Sequence, residues 1–224
     1  GYRRGQYNTK DILSLNKMGW MVGLQMGLET ALFSISGIMI GWLGSIALAA
    51  HQIMIAISTL GFMIYYGVGA AVSVRVSNFY GRGDITNVKR STMAGFHIML
   101  CLVLIASTIF FFAQDVIGIL FTTSPEVISL VSSLIIILMI YQFGDALQII
   151  YANSLRGIGD VISMAIISFI GYFLLAMPVC YICGFILNLG ITGIWIGYPV
   201  GLTLTGIMLC GRYYWKLKNG RLFR

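Results

Sequence analysis

Charge is what this sequence has least of: only 9% of its 224 residues are Asp, Glu, Lys or Arg, against about 25% in an ordinary soluble domain. With 58% hydrophobic residues, a water-soluble fold of this length would have too little polar surface to cover its core. Cysteine is scarce as well, and Cys101, Cys180, Cys183 and Cys210 all fall inside apolar runs, which argues against a secreted disulfide framework. Cys180 and Cys183 form a C-x-x-C, but with no second pair or histidines nearby we read them as packed thiols rather than a metal or redox site. The net charge of +7 comes from basic residues in short groups at the ends of apolar runs. That pattern reads as membrane topology, with no nucleic-acid partner. Nothing resembles a cleavable signal peptide, because the first 17 residues are polar and the first apolar stretch is too long for a signal core.

What the sequence does have is long apolar runs. A hydrocarbon layer about 30 Å thick needs about 20 mainly apolar helical residues, and six stretches qualify, at about 18–41, 48–75, 92–113, 128–155, 161–184 and 190–211. The expected fold is therefore all-α, a polytopic integral membrane protein with six transmembrane helices. The longest connector is expected between Val76 and Ser91, where Gly81, Arg82, Gly83 and Asp84 make a polar turn. Residues 1–17 read as a cytoplasmic linker or amphipathic lead-in, 18–211 as the transmembrane lobe and 212–224 as a basic cytoplasmic tail.

Lys and Arg resist translocation and gather in cytoplasmic loops. Arg3, Arg4, Lys10 and Lys17 precede the first span; Arg75, Arg82, Lys89 and Arg90 lie at or after the end of the second. Arg156 follows the fourth, and Arg212, Lys216, Lys218, Arg221 and Arg224 follow the sixth. The opposite connectors carry only Asp115 and Glu126. Both ends are thus expected in the cytoplasm, with the chain in a bacterial inner membrane. Glycine, at 27 residues, recurs at spacings of four in Gly37–Gly41 and Gly193–Gly197–Gly201, where small side chains let helices approach closely. Pro178 and Pro199 lie within spans and free backbone carbonyls there.

Two of the seven acidic residues sit where lipid or protein should surround them: Glu29 midway along the first span and Asp145 within the fourth. A buried carboxylate costs several kcal/mol in hydrocarbon and is usually retained for ions, protons or substrate. Residues four apart share a helix face, so Tyr141 and Asp145 align, with Gln148 three residues on. Gln25, Glu29 and Ser36 align similarly on the first span. Two polar stripes on apolar helices want a shared wet interior, in which a carboxylate can exchange a proton for Na+ or for a cationic ligand. His51, beside Gln52, and His97 read as interfacial residues. Trp20, Trp42, Trp195, Trp215 and many tyrosines suit interfacial belts, while Phe33, Tyr65 and Tyr66 equally suit a cavity for flat cations. Arg156 and Asp160 read as a turn that ties helices together.

The run GLQMGLETALFSISGIMIGWLGSIALAAHQIMIAISTLGFMIYYGVGAAVSVRVSNFYGRGD, Gly23 to Asp84, resembles the opening of the C-terminal lobe of multidrug and toxic compound extrusion (MATE) transporters. YQFGDALQIIYANSLRGIGD, Tyr141 to Asp160, and GITGIWIGYPVGLTL, Gly190 to Leu204, resemble that lobe's later signatures. The resemblance implies one six-helix lobe of a twelve-helix transporter that exports cationic organic drugs by antiport with Na+ or H+, without other cofactors. It is nearest to the NorM-type branch, whose first-helix glutamate and fourth-helix tyrosine and aspartate are implicated in cation binding. Here those positions are Glu29, Tyr141 and Asp145, with Na+ expected at Glu29 and Asp145 if sodium couples. Gln25, Ser36, Gln148, Gln52 and Phe33 are the expected supporting or substrate-contacting residues. The chain matches only one lobe, so the expected partner besides the bilayer is an N-terminal six-helix lobe or a second copy. Two other classes remain open: a non-transporting scaffold or channel subunit, and an intramembrane serine protease built on Ser36, for which Phe33 to Gly37 lacks the first glycine of a G-x-S-G setting.

Overall fold

The computed structural model describes residues 9–219. Among the described residues six helices are long and apolar enough to cross a membrane: α1 (Thr9–Gly41), α2 (Ser45–Gly81), α3 (Ile85–Phe121), α4 (Pro125–Gly157), α5 (Val161–Ile186) and α6 (Gly190–Lys218). The chain is therefore an all-α, polytopic membrane protein. Its helices outrun the apolar stretches that identify them. A 37-residue helix such as α2 or α3 is about 55 Å long, so several turns project beyond the hydrocarbon.

That projection changes the expected connectors. The helix does not stop at Arg75 but runs to Gly81, and α3 starts at Ile85, so the long loop expected from Val76 to Ser91 shrinks to Arg82–Asp84. The turn is tight because Gly83 adopts φ 74°. Its amide donates to Tyr80 O at 2.9 Å, and the Asp84 amide donates to Phe79 O at 3.0 Å, the paired bonds of a Schellman end. Asp84 then caps α3, its side chain accepting from the Asn87 amide at 3.0 Å. The α4–α5 turn repeats the device: Gly159 has φ 75° and the Asp160 amide donates to Leu155 O at 2.9 Å. At the chain ends, α1 already begins within the expected lead-in and α6 runs into the expected tail. Residues 1–8 and 220–224 of those two segments, with Arg3, Arg4, Arg221 and Arg224, lie outside the described residues.

The central helix is α4, which packs most extensively on α6 and α2. From Gly144 to Leu155 nearly every residue is buried. The seam between α5 and α6 depends on missing side chains. A Cβ on Gly193 would sit 2.7 Å from the Gly184 amide nitrogen, and one on Gly197 would sit 3.0 Å from the Cys180 nitrogen and closer still to its thiol. Pro178 lies between two π-helical stretches of α5, Ile170–Ala176 and Ile182–Ile186. A wide turn of this kind is a common response where an i→i−4 ladder is interrupted.

The buried apolar side chains divide into two clusters. One joins Leu32, Ile40, Met54, Leu138, Tyr141, Tyr172 and Tyr198; the other joins Val76, Ala146, Ile150, Leu155, Leu209 and Tyr213. Along α4 the boundary falls between Tyr141 and Ala146, and the polar groups described next occupy it.

Candidate functional site

On α1, Gln25 precedes Glu29 by about one turn, and its amide Nε2 donates to Glu29 Oε2 at 3.1 Å. The same oxygen receives Gln148 Nε2 from α4 at 3.4 Å and the Tyr172 hydroxyl from α5 at 3.4 Å. Gln148 Nε2 also donates to the Tyr172 hydroxyl. One carboxylate oxygen is thus the meeting point of three helices. Tyr172 is absent from the sequence-based set, because tyrosines read as interfacial; its position deep within an apolar span was the only signal available.

Asp145 lies on α4 between Tyr141 and Gln148 and is 1% exposed. Its Oδ1 has no hydrogen-bond partner, and neither does Gln148 Oε1. Buried acceptors without donors are rare and expensive. Two of them within one turn of α4 make an arrangement that a proton or a hard, oxygen-seeking cation would complete. The donor set is carboxylate, amide and phenol oxygen. Among the described residues no three His, Cys, Asp or Glu side chains converge as a transition-metal centre.

A cleft of about 680 Å³ opens beside this layer between α1 and α2. Glu29, Phe33 and Tyr141 line it, with Gln52 reaching in from α2, whereas Asp145 and Gln148 stand behind them, outside its wall. Phe33 packs edge-on to Tyr141, ring centroids 6.4 Å apart, and 4.9 Å from Tyr198. The structure therefore brings Gln25, Glu29 and Gln148 into direct contact and puts Glu29, Tyr141, Phe33 and Gln52 on one cavity.

Ser36 is the exception. It is fully buried, its hydroxyl bonds Leu32 O at 2.7 Å and lies 2.6 Å from the Tyr198 hydroxyl on α6. It serves the α1–α6 contact rather than the Glu29 cluster, and a tyrosine, not a histidine, stands beside it. Two further expectations are corrected. His51 is 2% exposed and packs against Trp195, which is 1% exposed. Both rings meet between α2 and α6 and turn into the bundle rather than toward lipid. Trp20, Trp42 and Trp215 are exposed, as is His97. Tyr65 is buried and donates to Gln142 Oε1. In the α4–α5 turn both charged residues tie helices together: Asp160 pairs with Arg212 at 2.8 Å and Lys216 at 3.5 Å on α6, and Arg156 Nη1 donates to the Tyr66 hydroxyl on α2 at 3.3 Å.

Known proteins agree with this architecture. The sequence profile of the MatE family matches residues 22–182. Multidrug resistance protein NorM of Photobacterium profundum is 36% identical over 210 residues, covering 92% of this chain and 46% of that protein. Multidrug resistance protein MdtK of Photorhabdus laumondii subsp. laumondii is 32% identical over 209 residues, with the same coverage. The crystal structure of the eukaryotic MATE transporter AtDTX14 superposes with TM-score 0.82 at 22% identity, covering 92% of this chain and 48% of that one. The chain spans about half the length of the relatives it matches. With the profile matched across most of the six helices and relatives above 30% identity along nearly the whole chain, this protein belongs to the MatE family.

Proposed function

We propose that this chain is one lobe of a secondary multidrug exporter that moves cationic organic compounds out of the cell in exchange for Na+ or H+. The observation that carries the reading is the pair of buried, partnerless acceptors, Asp145 Oδ1 and Gln148 Oε1, beside a Glu29 carboxylate that collects donors from three helices. Bound Na+ would supply a hard positive charge for such oxygens. Glu29 and Asp145 instead hold protons on their carboxylates if H+ couples. Because Glu29 also faces the cleft, an organic cation there competes for the same negative charge, and Phe33 and Tyr141 offer ring faces to it. Competition for one charge is the minimum that antiport requires.

The companion partner in this reading is a second six-helix lobe, which the relatives' double length supports. Drug would be held between the lobes and released by rocking of one against the other. The basic residues Lys17, Arg75, Arg82, Lys89, Arg90, Arg212, Lys216 and Lys218 lie toward one end of the bundle, supporting an inner-membrane orientation with both ends cytoplasmic. No catalytic role is assigned; the Ser36 hydroxyl engaged by Tyr198 favours transport over hydrolysis. Expression of the full transporter in a drug-sensitive bacterial host tests the reading. Asp145→Asn should abolish resistance and cation-driven efflux at unchanged membrane abundance, and wild-type resistance in that variant would remove the claim.

A further inference from the structure

Lys89, Arg90 and Lys218 are exposed at the basic end of the bundle. Among the described residues the only ion pairs join Arg212 and Lys216 to Asp160, so no carboxylate stands within pairing distance of these three. Asp84, close to them in the chain, is occupied by the Asn87 amide at 3.0 Å and the Asn87 side-chain nitrogen at 2.6 Å.

The three cations gather where α3 meets α6. The Tyr214 hydroxyl on α6 donates to Met93 Sδ on α3 at 3.5 Å, and the neighbouring Tyr213 hydroxyl lies 2.8 Å from Thr92 Oγ1 and donates to Val88 O at 3.4 Å. Lys89 and Arg90 precede Met93 by four and three residues, and Lys218 follows Tyr214 by four, so each lies one turn from that contact on the same helix face. Since α3 starts at this end, at Ile85, and α6 finishes at it, at Lys218, all three stand on the outer side of the contact.

On the inner side the surface turns apolar. α6 continues inward through exposed Gly211, Ile207 and Leu204, at spacings that keep them in line with Tyr214. A Cβ on Gly211 would meet nothing within 4 Å, which leaves the strip open there. On α3, exposed His97 follows Met93 by four residues and sets a polar ring about 10 Å inward of Arg90, where hydrocarbon alone would leave it without a partner. α4 packs against both helices, with Tyr151 set against Tyr213 and Tyr214.

We propose that this α3–α6 seam is a binding site for an anionic phospholipid. Lys89, Arg90 and Lys218 hold the phosphate, His97 meets the ester region, and an acyl chain lies along Leu204, Ile207 and Gly211. A cluster of unpaired cations at the end of an apolar strip fits an amphiphile with a negative head; a free anion or an uncharged lipid would use only half of it. The site shares no residue with the Glu29 cluster and is independent of the transport reading.

Thermal stabilisation of the delipidated full transporter in uncharged detergent tests it, with phosphatidylglycerol, phosphatidylcholine and glycerol 3-phosphate as the titrants. Phosphatidylglycerol should raise the melting temperature with a saturable midpoint, and the other two should not. Arg90→Gln with Lys218→Gln should raise that midpoint about tenfold, because each basic residue at a membrane surface strengthens anionic-lipid binding several-fold. Arg90→Lys with Lys218→Arg should keep the wild-type midpoint. Gly211→Leu should weaken lipid binding by filling the strip, without lowering the melting temperature of the lipid-free protein. Lys17→Gln with Arg75→Gln removes the same charge from α1 and α2 and should leave the midpoint alone. An equal loss in that control would mean diffuse attraction to the basic end and would overturn the site. Equal stabilisation by phosphatidylcholine, no stabilisation by phosphatidylglycerol, or a wild-type midpoint in Arg90→Gln with Lys218→Gln would overturn it as well. Glycerol 3-phosphate acting at the lipid's own midpoint would reduce the seam to an anion site and sink the lipid assignment.

Discussion

Gln148 Nε2 lies 3.4 Å from Glu29 Oε2 and bridges α4 to α1 across the middle of the bundle. It joins two helices that each carry one buried carboxylate. Asp145 and Gln148 share a face of α4, so the bridge turns the Asp145 face of α4 toward the helix that carries Glu29.

Gln148→Leu keeps the volume and deletes the bridge. Glu29 then retains only Gln25 and Tyr172 as donors, and Asp145 loses its polar neighbour. Cation-driven drug efflux in vesicles should fall at least about tenfold, the effect of losing one charge-assisted hydrogen bond, with membrane abundance unchanged. Efflux at the wild-type rate would show that the bridge is only packing.

Ser36 and Tyr198 satisfy one another at 2.6 Å in a fully buried setting. Ser36→Ala should destabilise the purified protein by about 1–3 kcal/mol by stranding the phenol, and Ser36→Ala with Tyr198→Phe should recover much of the loss. Chemical denaturation of the set measures the coupling. Ser36→Ala should also retain transport, which a nucleophilic serine would not permit.

Gly197 has no room for a side chain, since its Cβ would meet the thiol and backbone of Cys180. Gly197→Val should cost about 1–3 kcal/mol by overpacking and separate α5 from α6, read as a lower melting temperature in detergent. Gly41, with nothing near its Cβ position, should accept alanine without loss.

Asp160 gives a pH signature at the α4–α5 turn. Burial opposes its charge, but the Arg212 hydrogen bond, with Ser163 and the Lys216 and Arg212 charges, outweighs it and holds the carboxyl below its ordinary range. A depressed folded-state value means that the pair stabilises fully above the unfolded pKa of about 3.9 and loses that contribution as pH falls through the lower folded value. The melting-temperature gap between wild type and Asp160→Asn should hold constant from about pH 8 to 5 and close below about pH 4. A gap that persisted into that acid range would refute the ion pair's role.

The sequence by itself determined the number of spans, the separation of basic from acidic connectors, and the identity of Glu29 and Asp145 as costly residues. Each depends on local quantities: the length of an apolar run, the spacing of residues on one helix, the desolvation of one carboxylate. The connector after α2 is shorter than its hydropathy implies for the same reason, since hydropathy marks where a helix leaves the hydrocarbon and not where Gly83 ends it.

Only the tertiary structure decided which faces meet. A helix that is apolar all round gives no rotational signal, because lipid and protein core accept the same side chains. Hence Ser36, in line with Gln25 and Glu29 on α1, turns out to serve Tyr198; His51 and Trp195 fill the bundle instead of its rim; and Tyr172 reaches Glu29 from a π-helical turn that no 3.6-residue pattern encodes. The convergence of three donors on one oxygen is set by how the helices are rotated against one another. That rotation is fixed jointly by glycine contacts and buried hydrogen bonds, and no single helix contains it.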